Sequence, residues 1–159
     1  FQLLATSNPC FCGNYYEGAS CTCTQHEVNK YLKKLSGPIM DRIDIHIEMR
    51  RLSEDELMNS SESENSDTIK NRIIKAREIQ RKRYNNDLLN GNLGQKEIKK
   101  YCKIADEDKE YFKNAMKIME ISARGYDKIL KVARTIADLD ECKEIKKHHL
   151  MEAVSFRKK

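Results

Sequence analysis

Tryptophan is absent from the 159 residues, and hydrophobic residues (39%) barely outnumber charged ones (35%). That composition suits a soluble, helix-rich protein with modest cores and well-solvated faces. No apolar run approaches the roughly 20 residues needed to cross a bilayer, which excludes a helical membrane span. There is no secretory signal; Phe1-Gln2-Leu3-Leu4-Ala5-Thr6 reads as a buried strand entered in mid-fold. Neither sign of charge dominates. Thirty Lys and Arg against 25 Asp and Glu leave a formal charge of +5, which permits nucleic-acid contact without demanding it. Cysteines are not spread as a disulfide scaffold would spread them. Four of the six crowd into Cys10, Cys12, Cys21 and Cys23, while Cys102 and Cys142 stand alone in helical surroundings. In a Lys- and Glu-rich chain without an export signal, that points to metal binding in the cytoplasm.

Along the chain, the apolar run 1–7 predicts a strand that Pro9 stops. Residues 9–24 form a loop of Cys, Gly, Asn, Ser and Thr. Val28, Tyr31, Leu32 and Leu35 predict a short amphipathic helix over 26–35, ended by Ser36-Gly37-Pro38. Ile43, Ile45 and Ile47 alternate with Asp44, His46 and Glu48, predicting a strand with one buried face. The acidic, serine-rich stretch 53–67 reads as a linker. Helical periodicity then runs to the end. It predicts helices over 69–84, 96–102 and 106–120, another after an N-cap at Ser122, and a last one over 146–157. The expected fold is mainly α with a small α/β portion. The expected domains are 1–52, a linker at 53–67 and a helical domain over 68–159.

Three separated stretches carry chemistry. Ala5-Thr6-Ser7-Asn8-Pro9 puts a polar side chain at the end of the expected strand, where open α/β sheets place ligand contacts; a plain turn is the alternative. Ser36-Gly37-Pro38-Ile39-Met40-Asp41-Arg42-Ile43-Asp44 presents an arginine in a loop led by Gly-Pro, or else a surface arginine paired with Asp41 or Asp44. The third is Ile121-Ser122-Ala123-Arg124-Gly125-Tyr126, continuing to Ala133-Arg134-Thr135-Ile136-Ala137-Asp138-Leu139. In this order they resemble the sensor-1, arginine-finger and sensor-2 segments of the magnesium-chelatase-like AAA+ ATPases, the chelatase-like competence proteins among them.

The resemblance implies the tail of an α/β ATPase core followed by a helical lid, part of a ring-forming homo-oligomer that uses ATP and Mg²⁺. Asn8 would match sensor 1, orienting the attacking water. Arg42 would match the finger that reaches a neighbouring subunit's site and stabilises charge on the transferring phosphoryl group. Arg124 would match sensor 2, with Arg134, ten residues on, a second candidate whose alternative is a packed, ion-paired helix arginine. The Gly-rich phosphate loop and the acidic pair for Mg²⁺ are missing from the sequence. Gly91-Asn92-Leu93-Gly94-Gln95-Lys96 has the wrong spacing and no Ser or Thr after its Lys, and Asp138, Asp140 and Glu141 close a helix rather than a strand. The sequence is therefore expected to be a C-terminal part, inactive alone, of a motor acting on DNA in branch migration or competence. The alternatives are a magnesium-chelatase subunit that drives metal insertion into a porphyrin, and a zinc-stabilised nucleic-acid-binding module.

Cys10-x-Cys12 and Cys21-x-Cys23 could give four thiolates to one structural Zn²⁺, with Gly13 and Gly18 letting the loop turn back and His26 a possible substitute ligand. Reduced free thiols or adventitious disulfides are the alternatives. Lys70, Arg72, Lys75, Arg77, Arg81, Lys82 and Arg83 load one predicted helix with positive charge, which is either a solvated face or a DNA contact.

Overall fold

The computed structural model describes residues 2–15, 20–34, 37–49, 52–59 and 63–157. The chain divides into two compact units: Phe1–Ile43 with Glu48–Arg51, and Asp44–Ile47 with Leu52–Lys159.

In the first unit, helix α1 spans Gln25–Leu32 and begins on a reciprocal capping box. Thr24 Oγ1 accepts the Glu27 N–H at 3.3 Å, and Glu27 Oε2 accepts the Thr24 N–H at 2.8 Å. Those Thr24 bonds, the backbone one foremost, hold the Glu27 carboxyl below the usual range. Val28 is the buried residue of α1. The helix stops at Leu32 with Lys33 as C-cap, short of the expected end; Leu35 lies outside the described residues. A single turn, α2 (Gly37–Met40), stands where the sequence predicts only a break. Proline is tolerated there because the first turn of a helix needs no N–H from it.

Both expected strands are corrected. Residues 2–8 carry no regular structure and expose Leu3 and Leu4, and residues 45–49 are likewise irregular, with Ile45 and Ile47 exposed. An alternating pattern becomes a strand only when a neighbouring strand takes its backbone groups. Among the described residues, the only β-type pairing is one isolated parallel bridge, Ile104 to Ile145.

In the second unit, His46 N–H donates to the Phe156 carbonyl at 2.9 Å, and Lys128 pairs with Asp44 at 2.9 Å. The expected linker holds a short helix, α3 (Glu54–Met58), nucleated by a second capping box between Ser53 and Glu56. The remaining helices are α4 (Ser66–Tyr84), α5 (Gln95–Tyr101), α6 (Asp106–Ile118), α7 (Ala123–Leu139) and α8 (Lys147–Ser155). A 3₁₀ turn, Asn90–Asn92, falls between α4 and α5. The mainly helical reading therefore holds.

Helix α7 is the axis of this core. Ile129, Leu130, Ala133, Ile136 and Ala137 recur at three- and four-residue spacing and are all buried. Around them pack Tyr84, Leu93, Ile98 and Phe112, with Leu150, Ala153 and Val154 from α8. Ser122 caps α7 as expected, its Oγ accepting the Gly125 N–H at 3.0 Å. Gly125 itself is a close approach: a Cβ there would sit 2.9 Å from Ile121 Cγ2. Helices α4 and α7 end in left-handed residues, Asn85 at φ 54° and Glu141 at φ 54°.

Candidate metal centre and arginine positions

The two C-x-C pairs meet in space. Cys10 Sγ lies 3.4 Å from Cys12 Sγ and 4.0 Å from Cys21 Sγ, and Cys12 Sγ lies 3.6 Å from Cys21 Sγ. With Cys23, all four sulfurs fall within 4.8 Å of one another. Four thiolates around one Zn²⁺ at about 2.3 Å stand about 3.8 Å apart along the edges of a tetrahedron. The observed spacings fit that donor set. The loop closes through a Gly13 N–H to Cys10 carbonyl bond of 3.2 Å, made with Gly13 at φ 86°, a conformation that favours glycine. Cys10 is buried, and Phe11 stacks edge-on against Tyr31 of α1 with centroids 5.0 Å apart. Gly18 lies outside the described residues.

Three of the thiols are shifted, and in opposite directions. Backbone amides of Asn14 and Thr22, then the Cys10 thiol, pull Cys12 down to about 5. Cys21 and Cys23 each feel a downward pull from a backbone hydrogen bond, but desolvation and the neighbouring thiols outweigh it and raise them, Cys23 to about 11.

Asn8 is exposed at the head of this loop, its Nδ2 3.8 Å from where a Gly13 side chain would begin. Arg42 is exposed just after α2, donating from Nη1 to the Pro38 carbonyl at 2.8 Å. Asp44, one of the partners its alternative reading offered, pairs with Lys128.

Arg124 is exposed in the first turn of α7, a turn with no acidic residue. A cation there opposes the helix dipole, a cost of roughly 0.3–1 kcal/mol at an exposed site. Arg134 contrasts with it. It is 2% exposed, and its guanidinium donates to the carbonyls of Lys143 at 2.8 Å and Cys142 at 2.6 Å. It also pairs with Asp138 at 3.1 Å. Burial lowers its pKa despite that partner. Asp138 further accepts from Arg83 Nη1 at 2.8 Å, from Arg83 Nη2, and from Asn90 Nδ2 at 2.8 Å. This is the surrounding of a packed, ion-paired arginine.

Sequence reasoning missed that network. Asp138 four residues after Arg134 was its one legible sign; Arg83 and Asn90 are 55 and 48 residues from Asp138.

A second group, Asp140, His148 and His149, brings its ligand atoms within 4.8 Å. His149 Nδ1 accepts the Lys146 N–H at 2.9 Å, and burial holds its pKa down. The neutral ring therefore carries its proton on Nε2, where it meets Asp140 at 3.1 Å. No lone pair remains on that ring for a metal.

Of the seven bases on α4, four have acidic partners. Arg72 is bidentate to Glu64 at 2.9 and 3.1 Å, Lys75 reaches Glu141 at 3.5 Å, Arg81 reaches Asp87 at 2.8 Å, and Arg83 binds Asp138. Lys70, Arg77 and Lys82 are exposed without such partners among the described residues.

Two family models match this architecture of a cysteine loop followed by a helical unit. Residues 1–57 match magnesium chelatase, subunit ChlI, and residues 63–157 match the C-terminal region of that subunit. The chain belongs to the magnesium chelatase ChlI family. It is 40% identical over 159 residues to the protein YifB of Escherichia coli, covering 99% of this chain and 31% of that protein. To the competence protein ComM of Haemophilus influenzae it is 38% identical over 158 residues, covering 99% of this chain and 30% of that protein. To an uncharacterized Mycobacterium tuberculosis protein it is 30% identical over 141 residues, covering 87% and 28%. The chain thus spans about a third of the length of the curated relatives it matches. Among the described residues, no helix is long and apolar enough to cross a membrane.

Proposed function

We propose that this chain is the C-terminal portion of a cytoplasmic, ring-forming AAA+ ATPase that acts on DNA, with a structural zinc ion in the four-thiol loop. The observation that carries the reading is the exposure of Arg42 and Arg124, in a chain that aligns over 99% of its length with a competence protein. The burial of Arg134 leaves Arg124 as the arginine of α7 open to a nucleotide.

Bound ATP and Mg²⁺ supply the phosphoryl-transfer chemistry of such a motor. Within this chain, Asn8 orients the attacking water and Arg124 contacts phosphate oxygens. Arg42 reaches the site of an adjacent subunit, where its fixed positive charge stabilises the transferring group. Cys10, Cys12, Cys21 and Cys23 would hold the zinc and so fix the loop that follows Asn8; a four-thiolate site would leave no position for water and would be structural.

The test uses the longer, nucleotide-binding protein and mixes two inactive variants. One carries Arg42→Ala, the other a disabled phosphate loop. Mixed rings place an intact finger beside some intact phosphate loops, so partial recovery of ATP hydrolysis is expected. Mixed rings that form and stay inactive would overturn the assignment of Arg42. The guanidinium is forked and always charged, so Arg42→Lys should fail nearly as badly as Arg42→Ala. The loss in turnover should be on the order of 10³-fold, with nucleotide affinity far less affected.

A further inference from the structure

A groove of about 1020 Å³ opens on the second unit between α5, α6 and the start of α7. Its floor is apolar, made by Ile98, Cys102, Phe112, Met116, Tyr126 and Leu130. Its rim is basic. Lys99, Lys103, Lys113 and Lys117 line it, all exposed and without an acidic partner among the described residues. Lys109 is paired with Asp106 at 2.5 Å and contributes little net charge. An apolar trough edged by unpaired ammonium groups is complementary to a short acidic segment that also carries apolar side chains.

The same chain displays such a segment. Around α3 runs Leu52-Ser53-Glu54-Asp55-Glu56-Leu57-Met58, with Leu52, Leu57 and Met58 at 51%, 60% and 85% exposure. Its capping box presets the helical turn, with Glu56 accepting from the Ser53 backbone and hydroxyl at 2.9 and 3.1 Å. Glu54 and Asp55 have no basic partner among the described residues. We propose that the Leu52–Met58 segment of one copy docks in the lysine-rimmed groove of a second copy. Leu57 and Met58 enter the apolar trough, while Glu54 and Asp55 meet the rim lysines. The contact is heterologous, because groove and segment are different surfaces, so each copy offers one of each. It deepens the self-assembly reading by naming an interface, and requires neither nucleotide nor Arg42.

The experiment is a charge swap on the 159-residue chain, kept reduced so that the cysteines cannot cross-link, and followed by sedimentation at rising concentration. Wild-type chain should self-associate, less so as salt rises, since rim charges are screened. Lys113→Glu with Lys117→Glu in one variant, and Glu54→Lys with Asp55→Lys in another, should each weaken self-association by about tenfold or more. All four positions are exposed, so an unchanged circular dichroism spectrum is expected in both. Mixing the two variants should restore association, because each groove then meets a segment of opposite sign. A wild-type chain that stays monomeric, variants that associate like wild type, or a mixture that does not recover would overturn the proposal. A docked segment in a monomer would show docking within one chain; an added acidic peptide competing without any dimer would show a foreign partner. Recovery here alongside failure of the Arg42 mixing test would leave the interface standing and remove only the ATPase role of Arg42.

Discussion

At the residue scale, Asp138 is the hinge of the helical unit's polar interior. It is fully buried and answers two guanidinium groups, Arg134 at 2% exposure and the largely buried Arg83. Removing the shared partner leaves buried positive charge uncompensated, which is far costlier than losing a surface pair. Asp138→Ala is therefore expected to destabilise the unit by about 3–5 kcal/mol in urea denaturation. A loss below about 1 kcal/mol would show that solvent reaches these arginines. The cysteine cluster gives a second prediction. Reduced protein should contain about one zinc per chain by elemental analysis, the stoichiometry of a four-thiolate site. Cys12→Ser should lower that content, and chelation should lower the melting temperature. Metal-free protein whose melting is indifferent to chelator would end the metal reading.

At the scale of elements, α4 separates charge that is present from charge that is available. Arg72, Lys75, Arg81 and Arg83 answer carboxylates, so any phosphate contact falls first to Lys70, Arg77 and Lys82. Binding to duplex DNA should be weak and indifferent to sequence, its logarithm falling with log salt by about 0.9 per phosphate contact. Reversing Lys70, Arg77 and Lys82 together should abolish binding in a fluorescence anisotropy titration. Reversing Arg72, Lys75 and Arg81 should cost less; the opposite ranking would sink the assignment. The helices were legible because their signals are local: apolar spacing in α7, and a cap at Ser122 that needs only Gly125. The meeting of Cys10-x-Cys12 with Cys21-x-Cys23 was likewise readable, from residue type and a short loop. The strands were misread because a strand is completed by a neighbouring strand far away in sequence, and residues 2–8 and 45–49 form no strand pairing among the described residues. The Asp138 network was hidden for the same reason, since its members lie 48 and 55 residues apart.

For the whole molecule, the nucleotide site proposed above would be composite. Its phosphates are held by a Gly-rich loop and its Mg²⁺ by an acidic pair, and neither is written in these 159 residues. At the start of α7 the chain offers an anion Arg124, where exposed guanidinium and helix dipole carry the same sign. One cation and one helix terminus fall well short of the backbone cradle, Lys and metal that hold a triphosphate. Calorimetric titration of the chain with ATP·Mg²⁺ is therefore expected to give a dissociation constant no tighter than about 1 mM, equivalent to about 4 kcal/mol of binding. No hydrolysis should accompany it. Arg124→Ala should weaken whatever binding remains without changing the urea midpoint, because that side chain is exposed and has no hydrogen bond or ion pair among the described residues. Replacing Arg134 should do the reverse, lowering stability through its buried partners while leaving nucleotide titration unchanged. Micromolar affinity in this chain would mean that the phosphates sit somewhere other than at α7. Loss of binding with Arg134 intact in fold but altered in side chain would return the sensor role to that buried position.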